Sequence, residues 1–193
     1  MTFTTMWLTV LAASLLAAAP GTPLGPALGT APARGCARAR CWPVAGPGAR
    51  GRPLVLRTFE PPATPWAAGH RGVDLRAGPG RPVRAAAAGE VIFAGPVGGT
   101  PVVVIRLSAE LRVTYEPVRG TLPVGTAVTP GQPVGTLSGA LSHCPTPCLH
   151  WGLLRGDTYE DPLTLLPAAL RRAEPSRLLP LGKARTWGRP GTG

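Results

Sequence analysis

Lysine is almost absent from this chain. Of its 20 basic residues only Lys183 is a lysine, set against 9 acids, for a formal net charge of +11. Aromatic residues make up only 5%, too few among the arginines to build the stacking platforms that single-stranded nucleic acid requires. The longest apolar stretch, Met6–Ala19, falls short of the ~20 residues a membrane-spanning helix needs. Before Leu163 no segment keeps a 3.6-residue hydrophobic period long enough for a major helix. No internal repeat signals a solenoid or propeller. Neither cysteine pair has the C-x-x-C spacing of a zinc ribbon.

Glycine and proline, by contrast, are abundant, at 26 and 25 of 193 residues. That share alone would allow disorder, but the 44% hydrophobic content is gathered into short Val/Ile/Leu runs that a disordered chain lacks. The length suits one domain with tails. The charge is unevenly spread: residues 34–52 carry five Arg and no acid, and residues 171–193 carry a further net +5. Between them, residues 53–170 have nine Arg against eight acids. Nineteen arginines in an Ala/Gly/Pro-rich chain fit a compositional bias from GC-rich coding, which gives no reason to expect nucleic-acid binding. Basic flanks of this kind favour an anionic surface such as a cell wall.

Met6–Ala19 has the length of a signal-peptide core, although no Lys or Arg precedes it. Residues 1–33 are therefore expected to be a signal peptide or export segment, and the product to be secreted or extracytoplasmic and associated with the cell wall. Cys36, Cys41, Cys144 and Cys148 agree, being the even number expected of disulfides outside the cytoplasm. Three pairings are formally open, the local one (36–41 and 144–148) being the simplest. Residues 34–54 are expected to be an Arg/Gly/Pro-rich linker with a small Cys loop, and 171–193 a basic disordered tail. The working domain is then 55–170. Strand-like runs recur through it at Pro53–Phe59, Arg84–Phe93, Pro101–Leu107, Leu111–Tyr115, Gly125–Val128, Pro133–Leu137 and His150–Leu154, separated by Gly/Pro turns. The expected fold class is all-β, closing on a short C-terminal helix within Leu163–Arg172.

Two of the three histidines stand in suggestive surroundings. His70 and Asp74 form H-x-x-x-D in GHRGVDL, where the flanking glycines argue for a turn or bulge, and His150 opens a strand-like run in CLHWGL. Two His and one Asp are the ligand set of a zinc site that leaves its fourth position to water, yet H-x-x-x-D alone also fits ordinary surface polar residues. The surrounding motifs decide between these. GHRGVDLRAGPGRPVRAAAAGEVIFAG (69–95), LPVGTAVTPGQPVGTLSG (122–139), CLHWGL (148–153) and YEDPLTLL (159–166) occur in order and at normal spacing. Together they resemble the lysostaphin/LytM-type zinc metalloendopeptidases, which cut peptidoglycan cross-bridges. The resemblance covers about residues 55–166. It implies an antiparallel β-sheet groove built of barrel-sandwich-like hairpins, with one zinc ion on His70, Asp74 and His150 and peptidoglycan peptides as the partner. Biotinyl and lipoyl carrier domains share the A-x-x-G-x-V and G-Q-x-x-G signatures, but they need a lysine at a hairpin tip, and Lys183 lies in the tail.

Two positions depart from the family pattern. The first His of the family's H-x-H, a proton carrier, is Cys148 here. The His of its Y-x-H, which helps stabilise the oxyanion, is Pro117 here. Glu116 is not expected to stand in, because neighbouring strand residues point to opposite faces. Loss of a general acid/base costs ~10²–10⁴ in rate and loss of an oxyanion donor ~10²–10³. No family catalytic residue outside the metal set is therefore intact, and hydrolysis is expected to be weak. The alternative is an inactive module that binds wall peptides or regulates another cell-wall hydrolase. Two compensations stay open: a reduced Cys148 as a fourth metal ligand, or His143 as a substitute base rather than a plain surface-loop histidine.

Overall fold

The computed structural model describes residues 35–64, 66–139 and 143–172, which lie in one compact unit, Pro32–Gly193. The expected export segment and all but the first two residues of the expected tail lie outside the described residues. The strands are β1 (Cys36–Ala37), β2 (Arg40–Cys41), β3 (Val55–Arg57), β4 (Gly72–Arg76), β5 (Pro82–Arg84), β6 (Gly89–Val97) and β7 (Thr100–Arg106). They continue as β8 (Leu111–Glu116), β9 (Val118–Gly120), β10 (Ala127–Val128), β11 (Pro133–Leu137), β12 (Cys148–Arg155) and β13 (Thr158–Glu160). A 3₁₀ turn at Pro162–Leu165 leads into the short helix α1 (Ala168–Arg171). Among the described residues no helix is long and apolar enough to cross a membrane.

The strands form an antiparallel main sheet in the order β10-β6-β7-β8-β12-β4-β3, with β13 also paired to β12, and a second sheet β5-β11-β9. This is the antiparallel β fold expected of the lysostaphin/LytM type. Alternation explains why the central strands have one apolar face and one polar face. Along β8, Val113 and Tyr115 are fully buried whereas Thr114 and Glu116 are only half-buried. Along β12 and β4, Leu149, Trp151, Val73 and Leu75 turn into the core with them. The polar face of these central strands is left to hold the functional side chains.

Each of the seven expected strands has an observed counterpart, but two expectations fail for physical reasons. Arg84–Phe93 is not one strand: β5 ends at Arg84 and β6 begins at Gly89. Between them, three buried alanines pass through the core and bond to several elements at once. Ala85 N–H donates to Gln132 O at 2.9 Å, Cys41 N–H to Ala86 O at 2.8 Å, and Ala86 N–H to the Tyr115 hydroxyl at 3.0 Å. The segment 34–54, expected as a linker, puts Trp42 and Val44 into the core at 3% and 0% exposure. Trp42 Nε1 donates to Leu170 O at 3.2 Å, and its ring meets Trp151 edge-on. The β1–β2 hairpin carries the Cys36–Cys41 disulfide, whose sulfurs lie against Gly131. A Cβ there would come within 3.0 Å of Cys36 Sγ, and the φ of +82° also calls for glycine.

Candidate metal centre

The candidate site lies where β4 and β12 pair in the main sheet. Register places His150 directly opposite Asp74, one pair along from Trp151 opposite Val73. Asp74 occupies the middle of β4, in a strand rather than the turn expected from its glycine neighbours. Val73 and Leu75 on either side point into the core, so the carboxylate must face the other way. His70 precedes β4 in an antiparallel bridge with Glu60. Its Nδ1–H donates to the Thr58 carbonyl at 2.6 Å, which turns Nε2 towards Asp74 and His150.

Three atoms converge here. His70 Nε2 is 3.1 Å from Asp74 Oδ1, His150 Nδ1 is 2.8 Å from the same oxygen, and the two ring nitrogens are 3.2 Å apart. A tetrahedral ion with bonds of about 2.0–2.2 Å holds its ligand atoms roughly 3.3 Å apart, so the cluster has the dimensions to close on one such ion. All three side chains are buried: His70 is 4% exposed, Asp74 2% and His150 9%. Burial by itself would raise the Asp74 carboxyl. The hydrogen bonds and nearby charge of His150 and His143 outweigh it and hold the group below its ordinary value, ionised as a metal ligand needs to be.

Gly72, in the same H-x-G-x-D run, is held to glycine by the site itself. A Cβ there would stand 2.5 Å from Trp151 O and 2.7 Å from His150 Nε2.

His143 joins the cluster. Its Nε2 lies 3.0 Å from each Asp74 oxygen, and its ring is 5.1 Å from that of His150 and 5.7 Å from that of His70, centroid to centroid. One donor atom from each of His70, Asp74, His143 and His150 falls within 4.8 Å of every other. His143 keeps the loop position and exposure of a surface histidine, its side chain 46% exposed, while its ring reaches Asp74.

Cys148 is bonded to Cys144 and is 1% exposed. It thus has no thiol with which to bind metal or carry a proton. Pro117 lines a cleft of about 190 Å³ together with Pro79, Leu137, Cys144 and Cys148.

Contrary to the expectation from alternation, Glu116 stands close to the His70, Asp74 and His150 cluster. Strand β8 pairs with β12 so that Glu116 lies opposite His150, on the side away from Asp74. Its Oε1 is 4.0 Å from His150 Nε2. Alternation holds within β8, since Tyr115 faces the core, but it does not supply the register that brings the next residue to the site. The Thr58 carbonyl is likewise invisible in the sequence, because a backbone acceptor leaves no residue-type signal. For β4 a signal does exist, in the period-two pattern of V-D-L beneath the glycine cues.

Residues 68–162 match the profile of peptidase family M23. Among curated proteins, one from Mycobacterium tuberculosis and one from Mycobacterium bovis, both described as uncharacterized, are each 40% identical over 159 residues. The match takes in 80% of this chain and 60% of each relative, so the chain spans about three-fifths of their length. Among solved structures, the catalytic domain of the antimicrobial peptidase lysostaphin from Staphylococcus simulans superposes with a TM-score of 0.51 at 22% identity. It covers 62% of this chain and 93% of that domain. A zinc-containing peptidase from Vibrio cholerae gives 0.51 at 24% identity, covering 62% and 37%. At these identities both likenesses establish the fold.

Proposed function

This chain belongs to peptidase family M23, and from that premise we propose that residues 55–170 hold one zinc ion on His70, Asp74 and His150. In this reading the domain engages peptidoglycan peptides at the cell wall with hydrolysis much reduced or lost. The observation that carries it is the contrast within a few ångströms of sheet. Three donor atoms meet at 2.8–3.2 Å, while Pro117 and the disulfide-bonded Cys148 occupy the positions where the family pattern has its oxyanion-stabilising and its proton-carrying histidine.

When bound, zinc would polarise a carbonyl or a water molecule. The chain's own residues supply the rest. The Thr58 carbonyl fixes the His70 tautomer, and Glu116 faces the outer nitrogen of His150, where a carboxylate orients a ligating ring. Cys148 cannot pass a proton between water and a leaving amine, and Pro117 has no donor for a developing oxyanion. If their losses are independent, turnover falls by ~10⁴–10⁷ relative to a fully equipped site. The proline-rich cleft beside Pro117 offers an extended peptide a wall to lie along. The two disulfides support an extracytoplasmic location, where such bonds persist.

The purified chain, incubated with muropeptides, is expected to bind one zinc ion per molecule and release at most trace products by chromatography. Rapid zinc-dependent cleavage abolished by Asp74→Ala would sink the claim of impaired hydrolysis. Zinc binding unchanged by His70→Ala would sink the ligand set.

A further inference from the structure

The histidine next to the second disulfide has no counterpart in the motifs that carry the resemblance, yet it lies inside the cluster. We propose that His143 is a fourth protein ligand, which closes the metal site and leaves no coordination position for a hydrolytic water. The inference rests on the reading that His70, Asp74 and His150 hold zinc, and it goes further by assigning the position that a peptidase of this kind leaves open.

Three observations support it. The first is distance: His143 Nε2 is 3.0 Å from both Asp74 oxygens, and the four donor atoms lie within 4.8 Å of one another. That makes four protein donors, one from each residue, the number found in structural zinc sites. The second is tethering. Cys144, the residue after His143, is disulfide-bonded to Cys148, two residues before His150 on β12. The bond fixes the residue after His143 to the strand that carries a ligand, so little freedom is lost when His143 engages. The third is that the closure costs the domain no catalytic equipment it still possesses. With Cys148 unable to carry protons and Pro117 unable to steady an oxyanion, an open water position would lack both of its family partners.

The test uses the full chain and zinc alone, with affinity measured by competition against a chromophoric chelator and ligands counted by X-ray absorption at the zinc edge. The wild type is expected to show three imidazoles. His143→Ala is expected to show two, with affinity down more than about 100-fold, beyond the ~10–100-fold that losing an outer hydrogen-bond partner costs. His143 is half exposed, so the variant should fold, and circular dichroism of the zinc-free protein verifies this. Two imidazoles in the wild type, or a smaller loss of affinity in the variant, overturns the proposal and makes His143 an outer partner of Asp74. A wild type that binds no stoichiometric zinc, or zinc indifferent to His70→Ala, removes the underlying three-ligand reading as well and is distinguished by that control.

Discussion

Gly72 sets the tolerance of the site at the level of single atoms. Its missing side chain is what lets β4 pass against Trp151 O and the His150 ring, since a methyl group there would stand only 2.5 and 2.7 Å from them. Gly72→Ala must therefore push the strands apart or rotate the imidazole. Such overpacking costs about 1–3 kcal/mol, and the variant is expected to melt earlier and bind zinc more weakly than the parent. Calorimetry with a chelator titration would measure both, and unchanged values for both would contradict this role. The glycines around His70 are visible in the sequence but suggest a turn. Their use inside a paired strand depends on how near His150 comes, which residue order does not encode. The meeting of His70, Asp74 and His150 is legible because a set of two His and one Asp is restrictive in residue type. Glu116 is not, since its relevance lies wholly in register with another strand.

The β1–β2 hairpin shows the same limit one level up. A stretch rich in Arg, Gly and Pro reads as a linker, and only Trp42 and Val44 within it have a core composition. The hairpin docks because Trp42 fills space beside Trp151 and donates to Leu170 O, tying the first and last described segments together. Trp42→Ala should cost about 3–5 kcal/mol, the range for emptying a buried large aromatic site, in urea unfolding of the oxidised protein. A loss below ~1 kcal/mol would mean that the hairpin is an appendage. By contrast, β11 is expected at Pro133–Leu137 and is found there, because a proline start and a glycine-rich turn before it mark the boundary in residue types.

For the molecule as a whole, the surplus charge is partly built in. Arg38, Arg40, Arg50 and Arg52 belong to the hairpin and the turn that follows it, not to a loose flank as the sequence suggests. Arg38 and Arg50 are exposed, and Arg40 and Arg52 partly so. Binding to a phosphate-bearing wall polymer is expected to weaken steeply as salt rises from ~0.05 to ~0.5 M, since the screening length shrinks below about 10 Å. Sedimentation assays showing no salt dependence would exclude that role. The all-β class and strand spacing follow from turn residues and alternation. The sheet order, which decides what meets at the site, does not.

The pairing of β12 between β4 and β8 has a consequence for how the chain reaches its native state. Asp74 and His150 are 76 residues apart and meet only when the two strands lock in one alignment. A slip of a single position would turn His150 into the dry interior and push Trp151 out to water. The ligand cluster thus exists in one alignment and in none of its neighbours. An ion that binds there adds its free energy to the correct pairing alone, acting as a proofreader of strand alignment during folding.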